Sequence, residues 1–168
     1  MKLTICRHGQ TDWNAEGRLQ GHQDIPLNSL GIEQAEILRN ELADKHFDLI
    51  FSSPLSRAYQ TAQIINSRHN LDIVCDDRIK ELYLGKLEGE SKDSKLIDFD
   101  VLWTDEMLEP LDVELNPDFY ARVADFTDEL AEKYEDKEIL IVCHASGFEP
   151  RSPTLWVDAL LSESPGKY

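Results

Sequence analysis

The chain has 168 residues, and 41% of them are hydrophobic, which suits one globular domain with a single buried core. Asp and Glu number 33 against 17 Lys and Arg, so the formal net charge at pH 7 is −16. A negative field of this size repels nucleic acid and anionic membrane surfaces, and the composition therefore argues against both as partners. The same negative field opposes an anionic substrate, so a site for such a substrate must concentrate positively charged side chains locally.

Strand and helix patterns alternate along the chain. Short apolar runs predict four strands, over residues 2–6, 48–51, 73–75 and 139–143. Apolar spacing and capping residues predict three helices, namely 29–45 behind Asn28, 54–69 behind Ser53, and 117–134 behind Asn116. This alternation predicts an α/β fold, a three-layer α/β/α sandwich with a mainly parallel central sheet. Its functional site is expected at the carboxyl ends of the strands.

Apolar positions predict which face of each helix is buried. The inward stripe of helix 29–45 is predicted to consist of Ile32, Ala35, Ile37, Leu38 and Leu42. That of helix 117–134 is predicted to consist of Phe119, Val123, Phe126 and Leu130. The charged residues opposite, which include Arg122, are interpreted as a solvated outer face. The three cysteines lie near predicted strand ends and are interpreted as small core residues: Cys6, Cys75 and Cys143.

Two of the predicted strands lead directly into histidines. Strand 2–6 continues into Arg7-His8-Gly9, and strand 139–143 continues into His144. Arg57 lies in the first turn of helix 54–69, and Glu81 lies in a loop after strand 73–75. A guanidinium group binds phosphate with two parallel hydrogen bonds, an imidazole nitrogen is a nucleophile, and a carboxyl group transfers protons. The set therefore indicates phosphate chemistry.

The chain resembles the histidine phosphatase superfamily, which also contains the cofactor-dependent phosphoglycerate mutases. The resemblance covers about residues 2–147, and its segments occur in the family's order: Arg7-His8-Gly9-Gln10-Thr11, Trp13-Asn14, Arg18-Leu19-Gln20-Gly21, Pro26-Leu27-Asn28, Gly31, Gln34-Ala35, Ser52-Ser53-Pro54-Leu55, Arg57-Ala58, Gln60-Thr61-Ala62, Glu81-Leu82, Gly85, Glu88-Gly89 and His144. It implies a phosphoglycerate mutase-like fold and places the chain with the small phosphatases of the family.

The resemblance also implies the role of each residue in the candidate site. His8 attacks phosphorus and forms a phosphohistidine intermediate, which water then hydrolyses. Three residues bind the phosphoryl oxygens as donors: Arg7, Arg57 and His144. Glu81 is the general acid for the leaving group and then activates the water. No metal and no cofactor is required.

Other residues are assigned weaker roles. By resemblance, Asn14 contacts the phosphate, while Gln20 and Gly21 lie nearby and orient the leaving group. Glu88 is interpreted as a structural loop residue, and a substrate contact by His22 is left open. The expected activity is a metal-independent phosphatase for small phosphorylated metabolites.

Two alternatives to this activity remain open. One is a phosphoglycerate mutase, which the compact and acidic segment after Glu81 argues against. The other is a non-catalytic phosphate-binding or regulatory module, which the complete catalytic set argues against. The sequence does not choose between sugar phosphates, phosphoglycerates, α-ribazole phosphate and other small phosphorylated substrates.

The sequence predicts further features at the two ends of the chain and in the irregular segment after Glu81. One histidine phosphatase domain is predicted over 1–168, with a lid-like insertion over 86–112 and an atypical C-terminal tail over 148–168. If the family's last strand is missing, an exposed sheet edge could bind a second subunit. The N-terminus runs straight into the first predicted strand, and we expect a cytoplasmic protein.

Overall fold

The computed structural model describes residues 1–91 and 105–145, apart from the side chains of Asp105 and Met107. Within these ranges one sheet contains four strands: β1 (Lys2–Arg7), β2 (Leu49–Ser52), β3 (Ile73–Cys75) and β4 (Glu138–Cys143). The strand order is β1-β4-β2-β3, and every neighbouring pair is parallel. All four carboxyl ends therefore lie along one edge of the sheet, where the next residues of the chain meet.

Five α-helices accompany the sheet in the same ranges: α1 (Asp12–Ala15), α2 (Ser29–Glu41), α3 (Ser56–Asn66), α4 (Asp105–Leu108) and α5 (Asn116–Lys133). Short 3-10 helices span Asp77–Ile79, Gly85–Leu87 and Glu109–Leu111. Glu81 lies in the irregular stretch between the first two of these, as the sequence predicts.

The core has one layer of apolar side chains on each face of the sheet. Leu140 and Val142 of β4 point to one face, where they pack with residues of α2 and α3 such as Leu38 and Ile65. The alternate residues of the same strand point to the other face and pack with Phe126 and Leu130 of α5. This alternation follows from the two-residue period of a strand that is buried on both faces. The three-layer α/β/α prediction is confirmed.

The predicted helices are present, but several of their ends differ. The second long helix begins at Ser56 rather than Pro54, and Leu55 occupies its N-cap without a side-chain cap bond. Ser53 is therefore not the cap, and its hydroxyl group contacts the ring of His144. Asn28 caps α2 as predicted, accepting a hydrogen bond from the amide of Gly31, but α2 ends at Glu41. Asn116 is the first residue of α5 and not its cap.

Three predictions of burial are wrong. Ile32 and Ile37 of α2 are 45% and 56% exposed, because the stripe that faces α3 is narrower than the apolar spacing indicates. Cys75 is exposed because β3 lies at the edge of the sheet, whereas Cys6 and Cys143 are buried.

Part of the predicted organisation lies outside the described residues. This applies to the middle of the predicted lid, 92–104, and to the whole predicted tail, 148–168. The two ends of the predicted lid contribute Leu87 and Leu108 to a small apolar cluster that also contains Leu19 and Val113. In the described ranges, no helix combines the length and apolar character needed to cross a membrane.

Candidate active site

His8 follows the last residue of β1 and is almost fully buried, with 5% of its surface exposed. Its Nδ1 lies 2.7 Å from the carbonyl oxygen of Gly9. A carbonyl oxygen only accepts, so Nδ1 carries the proton and Nε2 keeps its lone pair. Burial and then the charge of Arg57 lower the pKa of His8 from 6.5 to about 3. The ring is therefore neutral at neutral pH.

Gly9 is required by close packing rather than by an unusual backbone angle. A Cβ at Gly9 would lie 2.3 Å from the carbonyl oxygen of Gly31, so no other residue fits without displacing α2. The amide of Gly9 donates to Thr61 Oγ1 at 3.1 Å, and this hydroxyl donates to the carbonyl oxygen of Arg57 at 2.8 Å. Thr61 therefore ties the turn after β1 to the start of α3.

Arg57 is fully buried in the first turn of α3. Its two terminal nitrogens donate at 2.8 Å to the carbonyl oxygens of Gly21 and Gln23. Burial lowers the pKa of Arg57 to about 10, and the negative charge of Glu81 is the largest influence in the opposite direction. The guanidinium group stays charged at neutral pH, and its plane is fixed by the 21–23 loop.

His144 follows β4, and its ring centroid lies 5.1 Å from that of His8. Its Nε2 lies 2.8 Å from Ser53 Oγ. Burial and the neighbouring His8 and Arg57 lower the pKa of His144 well below the ordinary value. Three buried side-chain polar atoms lack a partner in the described part of the chain, and two of them are Arg57 Nε and His144 Nδ1.

Arg7 is the last residue of β1, pairs in register with Cys143, and is exposed. Its positive charge contributes to the lowered pKa of both His8 and His144. The residues Arg7, His8, Arg57 and His144 thus form one histidine-arginine cluster at the carboxyl edge of the sheet.

Asn14 and Gln20 are joined through Thr11. Thr11 Oγ1 lies 2.9 Å from both Asn14 Oδ1 and Gln20 Oε1, and the Asn14 oxygen also accepts from the Thr11 amide at 3.1 Å. Gly21 has φ +51°, and a Cβ there would lie 2.3 Å from Glu88 Oε1. These contacts fix the loop whose carbonyl groups hold Arg57.

Residues 76–88, called here the Glu81 segment, bring the candidate acid to the same place. Glu81 is half-buried, and its Oε1 accepts from the amide of Leu82 at 2.9 Å. The negative charge of Glu81 raises the pKa of Arg57, so Glu81 lies close enough to the histidine-arginine cluster to influence its charge. Glu88 accepts from the amides of His22 and Leu84 and from the side chain of Gln23, in agreement with its predicted structural role.

Several contacts around the site do not follow from the sequence. Ser53 and Thr61 belong to the family segments of the sequence, but only the fold reveals that they contact His144 and Gly9. His22 Nε2 lies 2.7 Å from the carbonyl oxygen of Glu81, so this ring supports the Glu81 segment. Arg122 was predicted to be solvated, yet all five of its N–H groups donate within the protein.

The described residues contain no cluster of three or more His, Cys, Asp or Glu side chains suited to a metal ion. The groups that meet at the sheet edge are the neutral imidazole of His8, the buried imidazole of His144, the guanidinium groups of Arg7 and Arg57, and the carboxyl group of Glu81.

The chain is similar in sequence and in fold to several known proteins. A phosphoserine phosphatase of Hydrogenobacter thermophilus is 33% identical over 149 residues, which cover 86% of this chain and 71% of that protein. A probable phosphoglycerate mutase of Yersinia pestis is 40% identical over 94 residues, which cover 56% of this chain and only 44% of that protein. The solved structure of a phosphoglycerate mutase from Bacillus anthracis is 28% identical, with a TM-score of 0.72 over 84% of this chain and 74% of its own.

The phosphoglycerate mutase-like fold is thereby confirmed. The family model for the histidine phosphatase superfamily, branch 1, matches residues 3–147. The chain therefore belongs to the histidine phosphatase superfamily.

Proposed function

We propose that this protein is a metal-independent phosphatase that hydrolyses small phosphorylated metabolites through a phosphohistidine on His8. The observation that carries the proposal is the state of the His8 ring. It is buried and neutral, its Nδ1 proton is directed to Gly9 O, and Nε2 keeps a lone pair beside a fixed guanidinium group. An imidazole in this state can attack phosphorus without first losing a proton.

In the first step, His8 Nε2 forms a bond to phosphorus and the ester P–O bond breaks. Negative charge on the equatorial oxygens is stabilised by donors that are already oriented. Arg57 Nε and His144 Nδ1, which have no partner among the described residues, are suited to this task. Arg7 is exposed and adds a second guanidinium group from the strand end.

Glu81 is proposed as the proton donor. Its carboxyl group protonates the departing alkoxide oxygen, and the resulting carboxylate then takes a proton from water. The water oxygen attacks phosphorus, the N–P bond breaks, and inorganic phosphate leaves with His8 neutral and Glu81 protonated again. Half-burial of Glu81 suits a group that must meet both the leaving group and water.

Asn14, Gln20 and Gly21 are proposed to support substrate binding, the first two by contact and Gly21 indirectly. The oxygens of Asn14 and Gln20 are engaged by Thr11, so their amide N–H groups are the atoms suited to donate to a phosphate or a leaving group. Gly21 acts through its carbonyl group, which holds Arg57.

Phosphate release from p-nitrophenyl phosphate and a metabolite panel, with EDTA present, tests the proposal. The panel contains phosphoserine, phosphoglycerates, sugar phosphates and α-ribazole phosphate. We expect turnover by the wild type and none by His8→Ala, because the nucleophile is lost. Comparable turnover by folded His8→Ala would remove His8 as nucleophile, and loss of the wild-type activity with EDTA would contradict metal independence.

A phosphoglycerate mutase is the second candidate, and the matches to mutases favour it. The two activities differ in the acceptor of the phosphoryl group, which is water in one and a phosphoglycerate in the other. Incubation of 3-phosphoglycerate with the protein distinguishes them, since a phosphatase releases phosphate and a mutase forms 2-phosphoglycerate. The cytoplasmic location and an oligomer through an exposed sheet edge stay predictions.

A further inference from the structure

We propose that Arg122 of α5, together with Glu114, is a positioning residue for Glu81. This inference rests on the proposed role of Glu81 as the general acid. The contacts of Arg122 in the described structure include neither His8 nor Arg57, and the sequence predicts a solvated position for this side chain.

The Glu81 segment needs an external support. Between the 3-10 helices Asp77–Ile79 and Gly85–Leu87 it has no regular secondary structure, and residues 80–85 are only half-buried. No strand ladder fixes the backbone at Glu81, and the nearest buried apolar side chain in the sequence is that of Ile79, two residues before it. A carboxyl group that must meet a leaving oxygen within hydrogen-bond reach requires such fixing.

Arg122 supplies this support through the peptide groups of the segment. One terminal nitrogen donates to the carbonyl oxygens of Arg78 at 2.7 Å and Lys80 at 2.8 Å. The other donates to the carbonyl oxygen of Glu81 itself at 2.9 Å. A single guanidinium plane therefore binds three carbonyl groups of the chain that leads to the acid.

Glu114 fixes both the guanidinium group and the other side of Glu81. Its two carboxylate oxygens accept from Arg122 Nε at 2.6 Å and from a terminal nitrogen at 2.8 Å. The amide of Tyr83 donates to the same carboxylate at 3.1 Å, and the Tyr83 carbonyl oxygen accepts from the Glu114 amide at 2.9 Å. The chain is thus held both at and just after Glu81.

Burial makes this arrangement rigid. The side chains of Arg122 and Glu114 are only 19% and 15% exposed, and the guanidinium carbon lies 4.7 Å from the centre of the Phe119 ring. Phe119 belongs to the buried face of α5. All five donors of Arg122 are used, so a lysine, which has three donors and no planar fork, cannot reproduce the contacts.

Arg78 offers a matched control on the same two elements. Its guanidinium group also joins this segment to α5, but it does so through the carboxylates of Asp76, Asp125 and Glu129. No contact of the Arg78 side chain reaches the backbone of Glu81 in the described structure. Arg78→Lys therefore disturbs the junction between segment and helix without releasing the Glu81 peptide.

The test compares kcat/KM for phenyl phosphate, whose leaving group needs a proton, with kcat/KM for p-nitrophenyl phosphate, whose leaving group does not. This constant reports steps up to phosphohistidine formation and is independent of the later hydrolysis. We expect Arg122→Lys and Glu114→Gln to lower the phenyl phosphate value by about tenfold to a hundredfold. The p-nitrophenyl phosphate value and the Arg78→Lys control should change little.

A double variant provides a second readout. In a Glu81→Gln background, Arg122→Lys should have no further effect on phenyl phosphate, because the group that it positions is already lost. Equal losses on both substrates, or a lowered melting temperature with an unchanged substrate ratio, would overturn the positioning role. If Glu81→Gln alone leaves the ratio unchanged, the general-acid assignment fails, and the inference fails with it. If only Arg122→Lys and Glu114→Gln leave it unchanged, the positioning role alone is rejected.

Discussion

The histidine-arginine cluster and the Glu81 segment meet at one edge of the sheet, but different contacts hold them. In the cluster, His8 and His144 each follow the end of a strand and are 5% and 4% exposed. Arg57 lies at the start of a helix and is fully buried. The Glu81 segment contains no strand and is attached by arginine side chains that bind its carbonyl groups or neighbouring carboxylates.

This difference separates two requirements of a phosphoryl-transfer site. A buried cation beside neutral imidazoles is costly to desolvate, and the rigid sheet edge and the 21–23 loop carbonyls hold it in place without any ligand. The proton-transfer role proposed for Glu81 requires a carboxyl group that can meet both a leaving group and water, and its position in a more open segment suits that role. Activity should therefore depend on geometry in both regions, through oriented donors in the cluster and through the position of one carboxyl group in the Glu81 segment.

The largest expected effect is on Arg57. Arg57→Lys removes the planar fork and leaves at least one of the Gly21 and Gln23 carbonyl groups without its donor. Because oriented donors stabilise the transition state, we expect kcat/KM for p-nitrophenyl phosphate to fall by about a hundredfold to a thousandfold. The exposed Arg68 serves as the control, and Arg68→Lys should leave the rate unchanged. A loss below tenfold for Arg57→Lys would show that the cluster is less dependent on geometry than proposed.

The cluster is the part of the site that the sequence predicts well. Short apolar runs mark the strands, and the carboxyl ends of parallel strands share one edge, so the strand pattern predicts that His8 and His144 lie at the same edge of the sheet. Arg57 follows in the same way from the start of a helix behind a strand. The family resemblance adds roles, and the structure adds the strand order that makes β1 and β4, and with them His8 and His144, neighbours.

The support of Glu81 cannot be predicted in this way. Arg122 is one of many charged residues on an amphipathic helix, and its spacing is that of a solvated face. Which charged residue turns inward depends on where a segment without a regular pattern runs, about forty residues away along the chain. The exposed Ile32 and Ile37 show the same limit of sequence-based prediction. Apolar spacing indicates which face of α2 is buried, but not how wide the contact of that face with α3 is.

A smaller effect should appear in the dependence of stability on pH. The folded-state pKa of His8 is lowered from 6.5 to about 3, so between these values the unfolded chain binds a proton that the native ring does not. The free energy of unfolding should therefore decrease as pH falls through this range, by at most about 1.4 kcal/mol per pH unit for this residue.

Urea unfolding of the wild type and His8→Gln at several pH values measures this contribution. Glutamine does not titrate, so the variant should gain stability relative to the wild type as pH falls below 6.5. The comparison cancels the titration of the many carboxyl groups common to both proteins. Parallel curves would mean that burial does not hold the His8 ring neutral, and the proposed state of the nucleophile would be lost with it.

The smallest expected effects lie at the carboxylates around Arg78, where the Glu81 segment meets α5. Asp76 accepts three hydrogen bonds from Arg78, one from the amide and two from the guanidinium group, and its side chain is 18% exposed. Asp125 contacts the same guanidinium group at 2.7 Å, but its side chain is 71% exposed. We expect Asp76→Asn to lower the free energy of unfolding by about 1 kcal/mol. Asp125→Asn should lower it by less than about 0.5 kcal/mol, because water screens the pair.

Hydrogen bonds from Arg78 lower the pKa of Asp76, which fixes how this contribution varies with pH. It is fully present above the ordinary value of 3.8 and is lost as pH falls through the lower folded-state value. Protonation of His8 in the unfolded chain instead lowers the free energy of unfolding once the pH is below 6.5. The two regions therefore lose stability in different ranges of pH. Urea unfolding of both Asn variants at neutral pH measures the difference between them. If Asp125→Asn cost as much as Asp76→Asn, exposed charge pairs would hold the Glu81 segment, and its position would respond to salt far more than that of the cluster.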